Sequence, residues 1–244
     1  MADDEQVDKF PLHAAARDGR ELAVRSIVRT DRSLIRQRDD DNRTPLFWAV
    51  SAGNVDIVQS ILSASAGPDG KLELINIDDV DEAGWTVAHI AASIGSLDIL
   101  DLILPFEPDL SKQTSAGQTP LHYAVSRIRY EIAERLLEKY PQAVRIKDKQ
   151  NQIPLHRAAA VGSIPLINLL IKYKSPLNTS DRSGWSPLFH ASAEGHGDAA
   201  LVLIKAGAVT DRLDPDGNTF LQVAVDEKVK KWIQDMAARE GIDL

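Results

Sequence analysis

With 244 residues, 43% of them hydrophobic, and no cysteine, the chain can build a large core but has no disulfide framework to fold around. A formal net charge of -8 and a pI of about 5.3, without any Lys/Arg run, disfavour nucleic acid as a partner. No apolar run approaches the roughly 18 residues of a bilayer-crossing helix, and Met1 to Lys9 is too polar for a secretory leader, so neither membrane nor secretion is expected.

The first predicted element opens at Phe10-Pro11-Leu12-His13, where a proline at the first helical position loses no hydrogen bond; Ala23, Val24, Ile27 and Val28 then form the stripe of a second helix. The pattern returns at Thr44-Pro45-Leu46-Phe47-Trp48, followed by Ile57, Val58, Ile61 and Leu62. Residues 63–73, with Gly67, Pro68 and Gly70, read as an insertion held in a surface loop, with a binding loop as the alternative. Gly84-Trp85-Thr86-Val87-Ala88-His89 lacks the proline but keeps Ile99, Leu100, Ile103 and Leu104 at the same offsets. Thr119-Pro120-Leu121-His122 precedes Ile132, Ala133, Leu136 and Leu137, with Ile128 where the other units put an inter-helix glycine. Ile153-Pro154-Leu155-His156 and Ser186-Pro187-Leu188-Phe189 repeat the unit, and a seventh copy, Thr219-Phe220-Leu221-Gln222, has no proline.

Taking Leu12, Leu46, Ala88, Leu121, Leu155, Leu188 and Leu221 as equivalent gives spacings of 34, 42, 33, 34, 33 and 33. A period near 33 headed by Thr-Pro-Leu-His-x-Ala is the ankyrin pattern, in which no unit can bury its apolar face alone. The expected fold is all-α: an ankyrin-repeat solenoid of seven helix-turn-helix units joined by short loop or β-turn fingers. It is read as one domain, 1–244, with units starting near residues 10, 43, 85, 118, 152, 185 and 218. Arg17, Asp18, Arg20, Glu21, Arg25 and Arg29 supply the polar outer surface of an N-terminal cap, and the charged stretch 225–240 closes the other end.

His13, His89, His122 and His156 share one slot of the motif, where a ring bonded to the threonine hydroxyl and nearby backbone orders the loop; His156, with Ile153 in place of threonine, needs another partner. His190, His196 and Asp198 fall outside any zinc spacing. Spacing alone leaves a Ser/His/Asp arrangement open, but there is no nucleophile turn or phosphate-binding glycine loop, so no enzyme activity, cofactor or metal is expected. The positions that vary between units carry more information. Those before the Thr-Pro pair and before the inter-helix glycine project onto one concave face, and they are acidic first (Asp39, Asp40, Asp41, Glu82, with Arg43 and Trp85). They turn basic (Arg127, Arg129, Lys149, Arg157) and then mixed to acidic (Arg182, Trp185, Glu194, Asp226, Glu227). Such a charge order suits a partner of complementary order, the alternative being a merely solvated face. Trp85 and Trp185 each either pack on a neighbouring loop or anchor the partner.

The runs Val144 to Ser163 (VRIKDKQNQIPLHRAAAVGS) and Gly184 to Ala200 (GWSPLFHASAEGHGDAA) resemble the gankyrin family of proteasome regulatory-particle assembly chaperones, most closely its fungal members, and the likeness extends over essentially the whole chain. The resemblance implies a non-enzymatic chaperone, a monomer when free, in cytoplasm and nucleus. It would hold the C-terminal helical domain of one ATPase subunit of the proteasome base on its concave face. It also implies that Asp41, Arg43, Glu82 and Glu194 align with family contact positions. Animal members carry a Leu-x-Cys-x-Glu segment associated with the retinoblastoma protein; the matching positions here are His190, Ser192 and Glu194, so that activity is not expected.

Overall fold

A computed structural model describes residues 9–68 and 70–244; the polar stretch before Lys9, and Asp69 within the insertion, lie outside the described residues. The chain falls into two compact units, one extending to Asp109 and one beginning at Leu110.

In the first unit the short helices α1 (Pro11–Arg17), α3 (Pro45–Ser51) and α5 (Val87–Ile94) form one layer, and α2 (Glu21–Thr30), α4 (Val55–Ser65) and α6 (Leu97–Ile103) form the other. Successive helices within a layer pack side by side, α1 on α3 and α3 on α5, α2 on α4 and α4 on α6. Proline starts α1 and α3, while Ala14, Ala15, Ala16 and Ala49 keep the first layer thin enough for close approach. The apolar stripe of α4 (Ile57, Val58, Ile61, Leu62) is fully buried, whereas on α2 only Val24 is, because an end helix has a neighbour on one side alone. Part of the expected insertion is helical: α4 runs through Ser65, and an Ala66–Leu72 antiparallel bridge closes the remainder. Arg32 anchors it by donating to the Ala64 and Ala66 carbonyls at the C-terminus of α4, which have no partners within the helix.

The second unit repeats the design with α7 (Pro120–Ser126), α9 (Pro154–Ala160) and α11 (Pro187–Ala193) over α8 (Tyr130–Lys139), α10 (Ile164–Lys172) and α12 (Gly197–Lys205), and α13 (Glu227–Arg239) packs on α12. The seventh copy departs from expectation. Residues 219–226 form turns where a first helix was expected, and Leu221 is only half-buried while Phe220 fills the core position. Without a proline to preset the first turn, and with only α11 and α12 to lean on, this segment has too little helical drive. Lys205 pairs with Glu240 at 2.7 Å across the end of the unit. Ile128 takes the place of the inter-helix glycine with φ at 56°, in the left-handed region where Gly162 and Gly195 also sit. A β-branched residue there carries strain of about 1–3 kcal/mol.

His122 and His156 behave as read. Nδ1 of His122 accepts the Thr119 backbone N–H at 3.2 Å, and Nε2–H donates to the Gln152 carbonyl of the next unit at 3.1 Å. His156 solves its missing threonine with the Ile153 N–H at 3.1 Å and the Trp185 carbonyl at 3.3 Å. Each ring thus caps its own helix and ties it to the following loop, as a neutral Nε2–H tautomer. Burial pushes His122 down to about 4, and burial together with His190 does the same to His156. The unfolded rings titrate near 6.5, so unfolding takes up protons. Stability should be full above about pH 6.5 and fall toward about pH 4, by up to about 1.4 kcal/mol per pH unit for each ring. Urea unfolding at about pH 7.5 and about pH 5 checks this, and equal stability at both would contradict it. Leu155, with no exposed surface, should cost about 2–5 kcal/mol when changed to Ala, against about 0.5 kcal/mol or less for the exposed Glu82. Similar losses in denaturation would mean that the core is misassigned.

Candidate protein-interaction face

Between one helix pair and the next the chain makes a finger of constant geometry. In the finger 39–43 the Asp39 N–H donates to the Arg43 carbonyl at 2.9 Å and the Asn42 N–H to the Asp39 carbonyl at 3.0 Å; the fingers 81–85, 114–118, 148–152, 181–185 and 214–218 copy both bonds. The fourth residue of each is left-handed, always Asn or Gly (Asn42, Gly84, Gly117, Asn151, Gly184, Gly217). This is a type I turn followed by a left-handed residue, the pattern that closes short hairpins. At Gly117 a Cβ would lie 2.6 Å from the Lys149 backbone nitrogen, so the neighbouring finger also demands glycine.

An aspartate opens most of these fingers, and both its oxygens are used. Oδ1 of Asp148 accepts the Gln150 and Gln152 N–H groups at 2.8 and 2.9 Å, and Asp39, Asp81, Asp181 and Asp214 hold their turns the same way. Oδ2 reaches outward to the helix of its own unit: Asp39 takes the Trp48 indole N–H at 2.6 Å, Asp148 the Arg157 guanidinium at 3.0 Å and Asp181 the His190 ring at 2.9 Å. It also reaches the previous finger: Arg43 to Asp81 at 2.9 Å, Gln152 to Asp181 at 3.0 Å and Trp185 to Asp214 at 3.3 Å. Burial alone would raise the Asp148 and Asp181 carboxyls, but these donors outweigh it and hold both below the usual carboxylate range. The sequence analysis did not single out this network, although aspartate six residues before the helix start in unit after unit is a visible signal.

The network sorts the expected site residues. In the first unit Asp40, Asp41 and Glu82 are exposed at finger tips, and the Glu82 N–H donates to the Asp41 carbonyl at 3.3 Å, which holds the two tips together. Asp40 also pairs with Lys9 at 2.7 Å, both side chains largely in water, which contributes little. Arg43 is committed inward: its guanidinium bonds the Asp81 carboxylate and lies over the Trp48 ring, 5.2 Å from the centroid. Trp85 is half-buried, 6.1 Å from the His89 ring. In the second unit Lys149 and Arg182 are exposed at the tips, with backbone bonds to Ala116 and Gln150 of the preceding fingers, and Arg127, Arg129 and Glu194 are exposed around the inter-helix turns. Arg157 belongs to the Asp148 pair. Trp185 packs edge-on against His190 at 5.5 Å while its indole N–H bonds Asp214, so its ring is part of the finger network. His196 lies under Gly162, whose added Cβ would meet the ring at 2.5 Å, and among the described residues no three His, Cys, Asp or Glu side chains are grouped as metal ligands. No helix among them is long and apolar enough to cross a membrane.

Comparison with known proteins agrees with this geometry. The family model "Ankyrin repeats (3 copies)" matches residues 2–73, 71–148, 132–214 and 155–240. Among solved structures, the ankyrin repeat domain of Bcl-3 is similar at a TM-score of 0.74 and 27% identity, covering 92% of this chain and 97% of that one. The human ASB11 ankyrin repeat domain, at a TM-score of 0.78 and 22% identity over 92% and 96% of the two chains, shares the fold. Ankyrin repeat-containing protein C6C3.08 of Schizosaccharomyces pombe is 42% identical over 91% of this chain and 92% of its own. The probable 26S proteasome regulatory subunit p28 of Saccharomyces cerevisiae is 45% identical over 93% of this chain and 98% of its own. The chain belongs to the gankyrin family of ankyrin-repeat proteins, the family of the 26S proteasome regulatory subunit p28.

Proposed function

We propose that the protein is a non-catalytic assembly chaperone that binds the C-terminal helical domain of one ATPase subunit of the proteasome regulatory-particle base, working as a monomer in cytoplasm and nucleus. The observation that carries the reading is the similarity to p28 along almost the full length of both chains. The fingers support it: their tips carry carboxylates in the first unit (Asp40, Asp41, Glu82) and cations followed by a carboxylate in the second (Lys149, Arg182, then Asp216), all exposed on loops whose backbones are fixed by the aspartate network. Charges preset in this way lose little entropy on binding and select a partner by the order of its charges. Arg43 and Trp185 act at one remove, by holding the fingers that present these charges. A generic ankyrin scaffold with another client is the competing reading.

Reversing a tip charge sets like signs together in a partly desolvated interface. Glu82→Lys, Lys149→Glu and Arg182→Glu should each weaken binding to the isolated ATPase domain by at least about tenfold where the contact is central, and added salt should weaken the wild type through the association rate. Calorimetry at two ionic strengths measures both. Wild-type affinity in all three variants would sink recognition by charge, and no binding by the wild type would sink this client. Arg43→Ala should behave differently, lowering stability by about 1–3 kcal/mol because the Asp81 carboxylate, side chain 2% exposed, loses its partner. Thermal melting of that variant checks the assignment, and an unchanged midpoint would return Arg43 to the partner face.

A further inference from the structure

Every inter-helix turn between α1 and α12 except one has glycine in the left-handed position, and the exception is Ile128, φ 56°, with 55% of its surface exposed. Its side chain therefore gains little from burial while its backbone is strained, and elsewhere in this chain left-handed turns of the fingers use Asn as well as Gly without that strain. An exposed, strained, β-branched residue is costly to keep unless something outside the fold uses it. Arg127 and Arg129 stand on either side, both exposed and, among the described residues, without an ion pair. An exposed apolar knob flanked by two exposed arginines is complementary to a helix face that sets an apolar patch among carboxylates. Guanidinium groups pair such carboxylates in two-point geometry, and the fixed backbone and stiff β-branched side chain present the knob at little entropic cost.

We infer that Ile128 is an apolar anchor for the partner, and that the element it receives is an acidic amphipathic helix held between Arg127 and Arg129. This rests on the proposed binding to the ATPase domain and adds the residue that sets which helix is accepted. The two can be separated with Ile128→Gly and Ile128→Asn in the full chain, assayed by thermal melting and by affinity for the ATPase C-terminal domain. Both variants should melt at the wild-type temperature or above it, because strain is relieved, and both should bind at least about tenfold more weakly. Unchanged affinity would overturn the inference while leaving the functional reading intact. A lowered melting temperature would also overturn it, by showing that Ile128 serves the fold. Loss of a wild-type self-association in the variants would mark the patch as a contact between copies of this chain and overturn it likewise. A wild type that fails to bind the domain would overturn the functional reading and this inference with it.

Discussion

The structure depends on a carboxylate with two duties. At the base of finger after finger an aspartate spends one oxygen on two backbone N–H groups of its own turn and the other on a donor from the adjoining helix or the previous finger. A buried carboxylate is tolerable only when its lone pairs are filled, and here filling them also closes the loop and registers it on its neighbour. The histidine of the motif completes the tie from the helix side by donating to the carbonyl that ends the next finger. Packing of small first helices on apolar second helices provides the stability; these polar bonds decide where the tips point.

That division of labour explains how the exposed tip charges sit on short turns of fixed backbone. Asp41 and Glu82, or Lys149 and Arg182, are one and two residues from a backbone locked by an aspartate and by a bond from the adjacent tip. Side chains there can be exchanged with little effect on the fold, whereas Arg43, Arg157 and Trp185, which look equally available in sequence, are spent on the network. A surface of this kind is a set of replaceable charges on a fixed frame, the form a protein-interaction face takes.

The end units show what the frame requires. On α2 the apolar stripe is half-buried and Leu22 is 83% exposed, since no further helix among the described residues covers it. At the other end the seventh copy gives up its first helix, and α13 covers α12 with only Ile233 and Ala237 fully buried, the rest of its surface facing water. Repetition alone does not finish a repeat protein, and the last units are shaped by having one neighbour instead of two.

The sequence by itself determined the repeat, the helix starts and most of the core, because proline at the first helical position, a 33-residue period and the paired apolar stripes are local signals that survive without context: α3, α7, α9 and α11 each begin at the proline that marks them. The structural role of the motif histidines was equally legible, since both of the bonds to the ring's Nδ1 lie within three residues. What only the tertiary structure decided was which variable residues are free. Arg43 and Trp185 meet acceptors 38 and 29 residues away, and the collapse of the seventh first helix follows from a missing neighbour; pairings at that range depend on how one unit settles on the next, which no local pattern of residues encodes.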